Sequence, residues 1–128
     1  MKQIQRILCV DDEPDMRLLI KLALENVRKY EVGVYGSGKE LLDNISSHNP
    51  DIVLLDFVMP GMDGLQILHE LRARDDCKGI PVIFMTGSSS ESDIDMIMAA
   101  GAAGIISKPF DPLILAASIE EIWGRIHG

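Results

Sequence analysis

The sequence predicts an α/β protein, a five-stranded parallel sheet with five helices on both faces. Two observations predict it. Short apolar runs alternate with stretches of helical period along the whole chain, the pattern of repeated βαβ units. Four of those runs also stop on a polar residue. Ile7-Leu8-Cys9-Val10 runs into Asp11-Asp12, and Ile52-Val53-Leu54-Leu55 runs into Asp56. Val82-Ile83-Phe84-Met85 runs into Thr86, and Ile105-Ile106-Ser107 into Lys108-Pro109. In a parallel sheet all four stops fall at the carboxyl edge, where open α/β sheets hold their ligands. Crossovers between parallel strands are right-handed in nearly all cases, so the helices divide between the two faces.

The elements follow in order. The first strand covers 7–10, and Pro14 opens a helix to about Lys29 with Met16, Leu19, Ile20, Ala23, Leu24 and Val27 at helical spacing. A short strand at 32–35 precedes a helix at 39–47, with Leu41, Leu42 and Ile45 inward and His48-Asn49-Pro50 ending it. After the strand at 52–55 comes a helix at 64–74, with Leu65, Leu68 and Leu71 on one face. The strand at 82–85 leads to a helix from near Ser90 to Ala100, stopped by Gly101. The strand at 105–107 leads to the last helix, with Asp111 as N-cap, Pro112 at its first position and a buried stripe of Leu115, Ile119, Ile122 and Ile126. Trp123, beside that stripe, is expected at the edge of the core.

Composition narrows the function. A length of 128 residues, 47% apolar and 25% charged, fits one soluble globular domain. No apolar stretch approaches the ~20 residues of a membrane helix, and the N-terminus lacks an export signal, so a cytoplasmic protein is expected. The net charge of −8 argues against direct, sequence-independent binding of nucleic acid, which depends on Lys and Arg neutralising phosphates. Cys9 lies in an apolar run and Cys77 in a polar loop, which predicts two unrelated reduced thiols. His48, His69 and His127 are scattered and suggest no metal cluster. The chain stops as its last helix stops, with no output domain expected to follow.

The polar stops form a chemical set. Asp11, Asp12 and Asp56 crowded together carry about −3 when ionised, a charge that cannot persist without an offsetting cation. Mg²⁺ suits such oxygen donors. Thr86 and Lys108 suit an anion instead. A carboxylate attacking a phosphoryl group needs the charge on the transferred oxygens spread over a metal, an ammonium and hydrogen-bond donors. Carboxylates, Mg²⁺ and Lys108 together come to about zero charge, so a dianionic phosphoryl donor can approach.

In this order and spacing the motifs are specific. The chain resembles the receiver domain of two-component response regulators, most closely the stand-alone chemotaxis-type receivers. The resemblance rests on Cys9-Val10-Asp11-Asp12-Glu13-Pro14, on Leu54-Leu55-Asp56-Phe57-Val58-Met59-Pro60-Gly61-Met62-Asp63-Gly64, on Phe84-Met85-Thr86-Gly87, on Ala100-Gly101-Ala102, and on Ser107-Lys108-Pro109-Phe110. It covers essentially the whole chain and implies a single receiver (phospho-acceptor) domain over 1–128, with the flavodoxin-like, doubly wound strand order 2-1-3-4-5.

The resemblance also implies roles. Asp56 is the expected phospho-acceptor, taking a phosphoryl group from the phosphohistidine of a sensor histidine kinase or phosphotransfer protein. Asp12 and Asp56 are expected to ligate Mg²⁺ directly, Asp11 mainly through water, and the backbone carbonyl of Val58 to complete the set. Lys108 is expected to pair with the phosphoryl group, aimed by a cis bond to Pro109, while Thr86 swings toward a phosphoryl oxygen and draws its loop along. Asp63-Gly64 is expected to form the turn after the acceptor loop.

Three positions individualise the chain. Most members carry Tyr or Phe where Ile105 stands, so switching is expected through the Thr86 loop and the fourth helix, with Ile105 a constant apolar contact. Val58 and Ser88 occupy the positions that tune phosphoryl lifetime, and with neither carboxylate nor amide there to orient water, dephosphorylation is expected not to be fast. In the fourth helix, Ile94, Ile97, Met98 and Gly101 are expected to pack on the sheet. Met96, Ile105 and Ile114 are then expected to form an exposed apolar face for a downstream target or a homodimer.

Other readings have less behind them. A receiver cut from a longer regulator with a DNA-binding, enzymatic or kinase output shares every feature above. An aspartyl-phosphate phosphohydrolase usually has a second aspartate two residues after its nucleophile, where this chain has Val58. A flavin-binding domain needs a phosphate-cradling loop after the first strand, where this chain has Asp11-Asp12-Glu13-Pro14. The expected chemistry is therefore self-directed at Asp56, with no enzymatic turnover of another substrate.

Overall fold

The computed structural model describes residues 3–59, 61–88 and 90–127. Five strands, β1 (Arg6–Val10), β2 (Glu31–Tyr35), β3 (Ile52–Asp56), β4 (Val82–Thr86) and β5 (Gly104–Ser107), form one parallel sheet in the order β2-β1-β3-β4-β5. They alternate with α1 (Pro14–Arg28), α2 (Gly38–His48), α3 (Gly64–Ala73), α4 (Glu91–Ala99) and α5 (Leu115–His127). Every pairing is parallel, and the register sets Asp56 beside Met85 and Thr86 beside Ser107. The predicted architecture and strand order are those observed.

The interior strands read as unbroken apolar runs because both of their faces are covered. Alternate residues serve opposite layers. Ile7, Cys9, Ile52, Leu54, Ile83 and Met85 join Ile20 and Leu24 of α1 and Ile119, Ile122 and Trp123 of α5 in one core. Leu8, Val10, Val53, Leu55 and Phe84 join Leu41 and Ile45 of α2, Ile67, Leu68 and Leu71 of α3 and Ile97 of α4 in the other. Packing is close enough to fix residue size. A Cβ added at Gly104 would sit 2.7 Å from Ile122 Cδ1, so any larger residue in β5 would have to displace the Ile122 side chain of α5.

Local chemistry sets the helix ends. The Ser37 hydroxyl accepts from the Glu40 N–H, and Asp63 and Gln66 form a reciprocal capping box at α3. Asp63-Gly64 thus ends the acceptor loop and starts α3. Gly101, with φ of +101°, follows α4 as the sequence implied.

Several finer expectations are corrected. In α3 it is Ile67, with Leu68 and Leu71, that is buried, while Leu65 is half-buried. In α1 only Ile20 and Leu24 are fully enclosed, and Leu19 and Val27 lie at the exposed margin. In α4, Ile97 alone is buried, whereas Ile94, Met98 and Gly101 are exposed. Ile94, Met96, Ile97 and Met98 spread apolar positions around the helix, so their spacing does not fix which of them faces the sheet, and Ile97 does. Helix α5 begins at Leu115 rather than Pro112. Asp111 accepts the Leu113 N–H on its side chain and the Ile114 N–H on its carbonyl, closing a tight turn before the helix. Cys77 is buried in the core rather than lying in a solvated loop, and Cys9 is buried as expected; both are free thiols. Pro60 of the acceptor-loop motif lies outside the described residues. Among the described residues no helix is long and apolar enough to cross a membrane.

Candidate functional site

The carboxyl edge of the sheet carries the polar stops. Just beyond β1, Asp11 extends the strand pairing by one step, its N–H donating to the Tyr35 carbonyl at 3.1 Å. Asp11 is completely enclosed, at 0% exposure, and each of its polar atoms is engaged. Oδ1 accepts the Glu13 N–H at 2.9 Å, Oδ2 accepts Lys108 Nζ at 2.9 Å, and the carbonyl accepts Arg17 Nη1 at 2.7 Å. Asp12, one residue on, is exposed.

Asp56 ends β3 and is itself buried. Lys108 Nζ lies 3.3 Å from its Oδ2 and so sits between two carboxylates brought together from β1 and β3. The Lys108 N–H donates to the Thr86 carbonyl at 2.8 Å, tying the end of β5 to the end of β4, and the Lys108-Pro109 peptide is cis. Carboxylate oxygens of Asp11, Asp12 and Asp56 all lie within 4.8 Å of one another. Three carboxylates against one ammonium leave about −2, and hard oxygen donors at that charge suit a small divalent cation. The residues therefore fit Mg²⁺.

Burial sets the protonation balance. It pushes the Asp56 carboxyl above its ordinary value; Lys108 opposes this, Asp11 adds to it, and the Val58 backbone N–H also favours the ionised form. Burial works to lower the Lys108 ammonium, but its hydrogen bond to Asp11 and the charges of Asp56 and Asp11 outweigh it, so its value rises. The Cys9 thiol, behind the site, is pushed up by burial and carries no thiolate chemistry.

Thr86 is buried at the end of β4, and its Oγ1 accepts the Ser88 N–H at 3.0 Å. The Ser88 hydroxyl donates to Asp93 Oδ2 at 2.7 Å in the first turn of α4, and accepts the Ser90 N–H at 3.1 Å. Thr86 is thus wired to α4 through Ser88. Val58 is 73% exposed and its side chain carries no polar group, so at this position it is the backbone that acts on the acceptor.

The remaining predicted residues lie apart from this cluster. Ile105 is half-buried against the core that α2, α3 and α4 cover, and lines with Ile114 a groove of about 410 Å³ between β5 and α5. Met96 is 50% exposed on α4 and Ile114 55% exposed before α5, and neither meets the carboxylates. One residue of the edge escaped the sequence reading, Arg17. A cation at the first turn of a helix opposes the helix dipole, and that mismatch was the available signal.

Comparison with known proteins places this edge in context. The family model described as response regulator receiver domain matches residues 7–120. The chain is similar to the DNA-binding response regulator MtrA of Mycolicibacterium smegmatis, 33% identical over 115 residues that are 90% of this chain and 49% of that protein. It is also similar to the chemotaxis protein CheY of Pseudomonas aeruginosa, 33% identical over 96% of this chain and 99% of that protein. Among solved structures, the chemotaxis response regulator CheY4 of Vibrio cholerae superposes with a TM-score of 0.86 at 27% identity, covering 94% of this chain and 99% of that one. The chain spans about half the length of the MtrA relatives it matches.

Proposed function

The chain belongs to the response regulator receiver domain family, and from that premise we propose that it is a phosphorylation switch with Asp56 as the acceptor. An Asp56 carboxylate oxygen attacks the phosphorus of a phosphohistidine on a sensor histidine kinase or phosphotransfer protein. The P–N bond breaks, the P–O bond forms, and the imidazole leaves. Asp12 and Asp56 hold Mg²⁺ directly and Asp11 through water, with the Val58 carbonyl completing the set. That division is supported by Asp11 having both carboxylate oxygens already occupied while Asp12 is open to solvent. Bound there, Mg²⁺ supplies positive charge to the transferred oxygens. Lys108, already between Asp11 and Asp56, then turns its ammonium to the phosphoryl group.

One observation carries the reading. The four charged stops of three different strands meet at one edge, with Lys108 2.9 Å from Asp11 and 3.3 Å from Asp56. The test is incubation with a small phosphodonor and Mg²⁺, comparing wild type with Asp56→Asn. Incorporation is expected only in the wild type with the metal present; incorporation that survives the substitution, or a chelator, overturns the reading.

Switching runs through the Thr86 loop. When the Thr86 hydroxyl turns to a phosphoryl oxygen, the Ser88 N–H loses its acceptor and the disturbance passes through the Ser88–Asp93 hydrogen bond to α4. Ile105 stays a constant apolar contact, and an activated structure with Ile105 in a swung-out rotamer would refute this. The face of α4, β5 and α5, with Met96, Ile105 and Ile114, meets a downstream target or a second copy; direct nucleic-acid contact is disfavoured by the net charge of −8. The protein acts in the cytoplasm and catalyses only its own phosphorylation and dephosphorylation. The half-length match to MtrA favours a second version, in which 1–128 is the receiver of a longer regulator with its own output. The length of the gene product distinguishes the two. A phosphohydrolase lacks support, since Val58 stands where its acid–base carboxylate is required.

A further inference from the structure

Arg17 closes the first turn of α1, and helical side chains lean toward the helix N-terminus. Its guanidinium therefore reaches back over the turn between β1 and α1, donating from Nη1 to the Asp11 carbonyl at 2.7 Å. That carbonyl belongs to a completely enclosed residue and has no access to water. The same guanidinium packs closely against Gly36, in the loop after β2. A Cβ there would lie 3.1 Å from Nη1, 3.5 Å from Cζ and 3.8 Å from Nη2. Arg17 thus braces two neighbouring loops of the functional edge, between which the Asp11 N–H already donates to the Tyr35 carbonyl. Asp12 is exposed, so the aim of its carboxylate depends on the backbone it shares with Asp11.

The geometry points to Arg17 as a positioning residue that holds the Asp11–Asp12 turn in the shape required to bind a divalent cation. The inference rests on the function proposed above. Arg17 touches neither the metal nor the phosphoryl group; it fixes the backbone from which the ligands project. Removing such outer-shell support typically weakens metal affinity by about 10–100-fold. Gly36 is part of the same device, because its missing side chain leaves room for the guanidinium.

The test is calorimetric titration of the whole chain with Mg²⁺, without phosphodonor, together with phosphoryl uptake measured across Mg²⁺ concentrations. Arg17→Gln is expected to raise the Mg²⁺ Kd by roughly tenfold or more and to raise the half-saturating Mg²⁺ for uptake by the same factor. The rate at saturating Mg²⁺ should stay within about twofold, because a backbone brace contributes to binding and not to the transfer. Arg17→Lys, which keeps a donor and the charge, should recover part of the affinity. Gly36→Ala should lose part of it in the native background and nothing further beside Arg17→Gln. If Arg17→Gln does not fold, the lysine and Gly36→Ala variants carry the decision. An unchanged Kd in these variants, or a fall in saturated rate at unchanged Kd, overturns the proposal alone. Absence of Mg²⁺ binding by the wild type overturns the function reading, and this inference with it.

Discussion

Lys108→Met removes the one cation between Asp11 and Asp56 while keeping the stem that packs there. The ammonium lies 2.9 Å and 3.3 Å from the two carboxylates, whose side chains are 0% and 9% exposed. At an effective dielectric of about 20 each contact is worth roughly 5 kcal/mol before desolvation is counted. Desolvation offsets much of that, and the cost of stranding buried partners is about 3–5 kcal/mol. The expected loss is therefore about 3 kcal/mol in denaturant unfolding at neutral pH with chelator present. Mg²⁺ at a hundred times its Kd adds roughly 2.7 kcal/mol to any form that binds it, so it should restore most of the loss. The metal should stabilise the variant more than the wild type, because the unpaired carboxylates attract it more strongly. The Lys108 value is raised above its ordinary 10.5, so the folded state holds that proton more tightly than the unfolded chain. Its contribution is complete below 10.5 and disappears only as pH rises through the folded value, so buffers near neutrality see all of it. A loss under about 1 kcal/mol in chelator, or equal stabilisation of both forms by Mg²⁺, would refute the argument.

Asp56→Asn should raise the unfolding midpoint near pH 7 in chelator. The raised Asp56 value means that the folded state prefers the proton, so the ionised carboxylate costs stability above its folded value. The gain should vanish by about pH 3, below the ordinary carboxylate value, and a gain that persists there would contradict the assignment to charge. Val58→Asn places an amide on a side chain 73% exposed, so stability should hold while acyl-phosphate decay after donor removal quickens by about tenfold, roughly 1.4 kcal/mol of barrier. An unchanged half-life would remove Val58 from lifetime control. Gly64→Ala puts a Cβ 2.5 Å from Phe84 Cε1 and 2.7 Å from the Asp56 carbonyl. Backbone cannot yield as a side chain does, so a loss of about 1–3 kcal/mol is expected together with slower phosphoryl uptake, read by denaturation and donor kinetics. Uptake at the native rate would show that the acceptor loop tolerates the shift.

The polar stops were legible because parallel strands with covered faces leave one place for polar residues, at the ends. Asp11, Asp12, Asp56, Thr86 and Lys108 could be gathered at one edge from their positions after apolar runs alone. The inner faces of the helices were less legible. Ile67 displaced Leu65, and three expected contacts of α4 are exposed, because apolar spacing gives a stripe but not the direction of its centre. The start of α5 shifted because the same Asp-Pro pair suits a tight turn and a helix cap equally. Arg17 was missed because its partner is a backbone carbonyl, and its one mark in the sequence is a cation set against the dipole of its own helix.

By itself the sequence determined the fold class and the residues that end each strand, since these follow from periodicity and from the handedness of βαβ units, while the strand order came from the family resemblance alone. Tertiary structure alone decided that Asp11 is sealed from water while Asp12 is open, that Lys108 lies between Asp11 and Asp56, and that Ser88 ties Thr86 to Asp93. The physical reason is that exposure and hydrogen-bond pairing depend on what covers a residue in space, and neighbours 97 positions apart, like Asp11 and Lys108, leave no trace in local pattern.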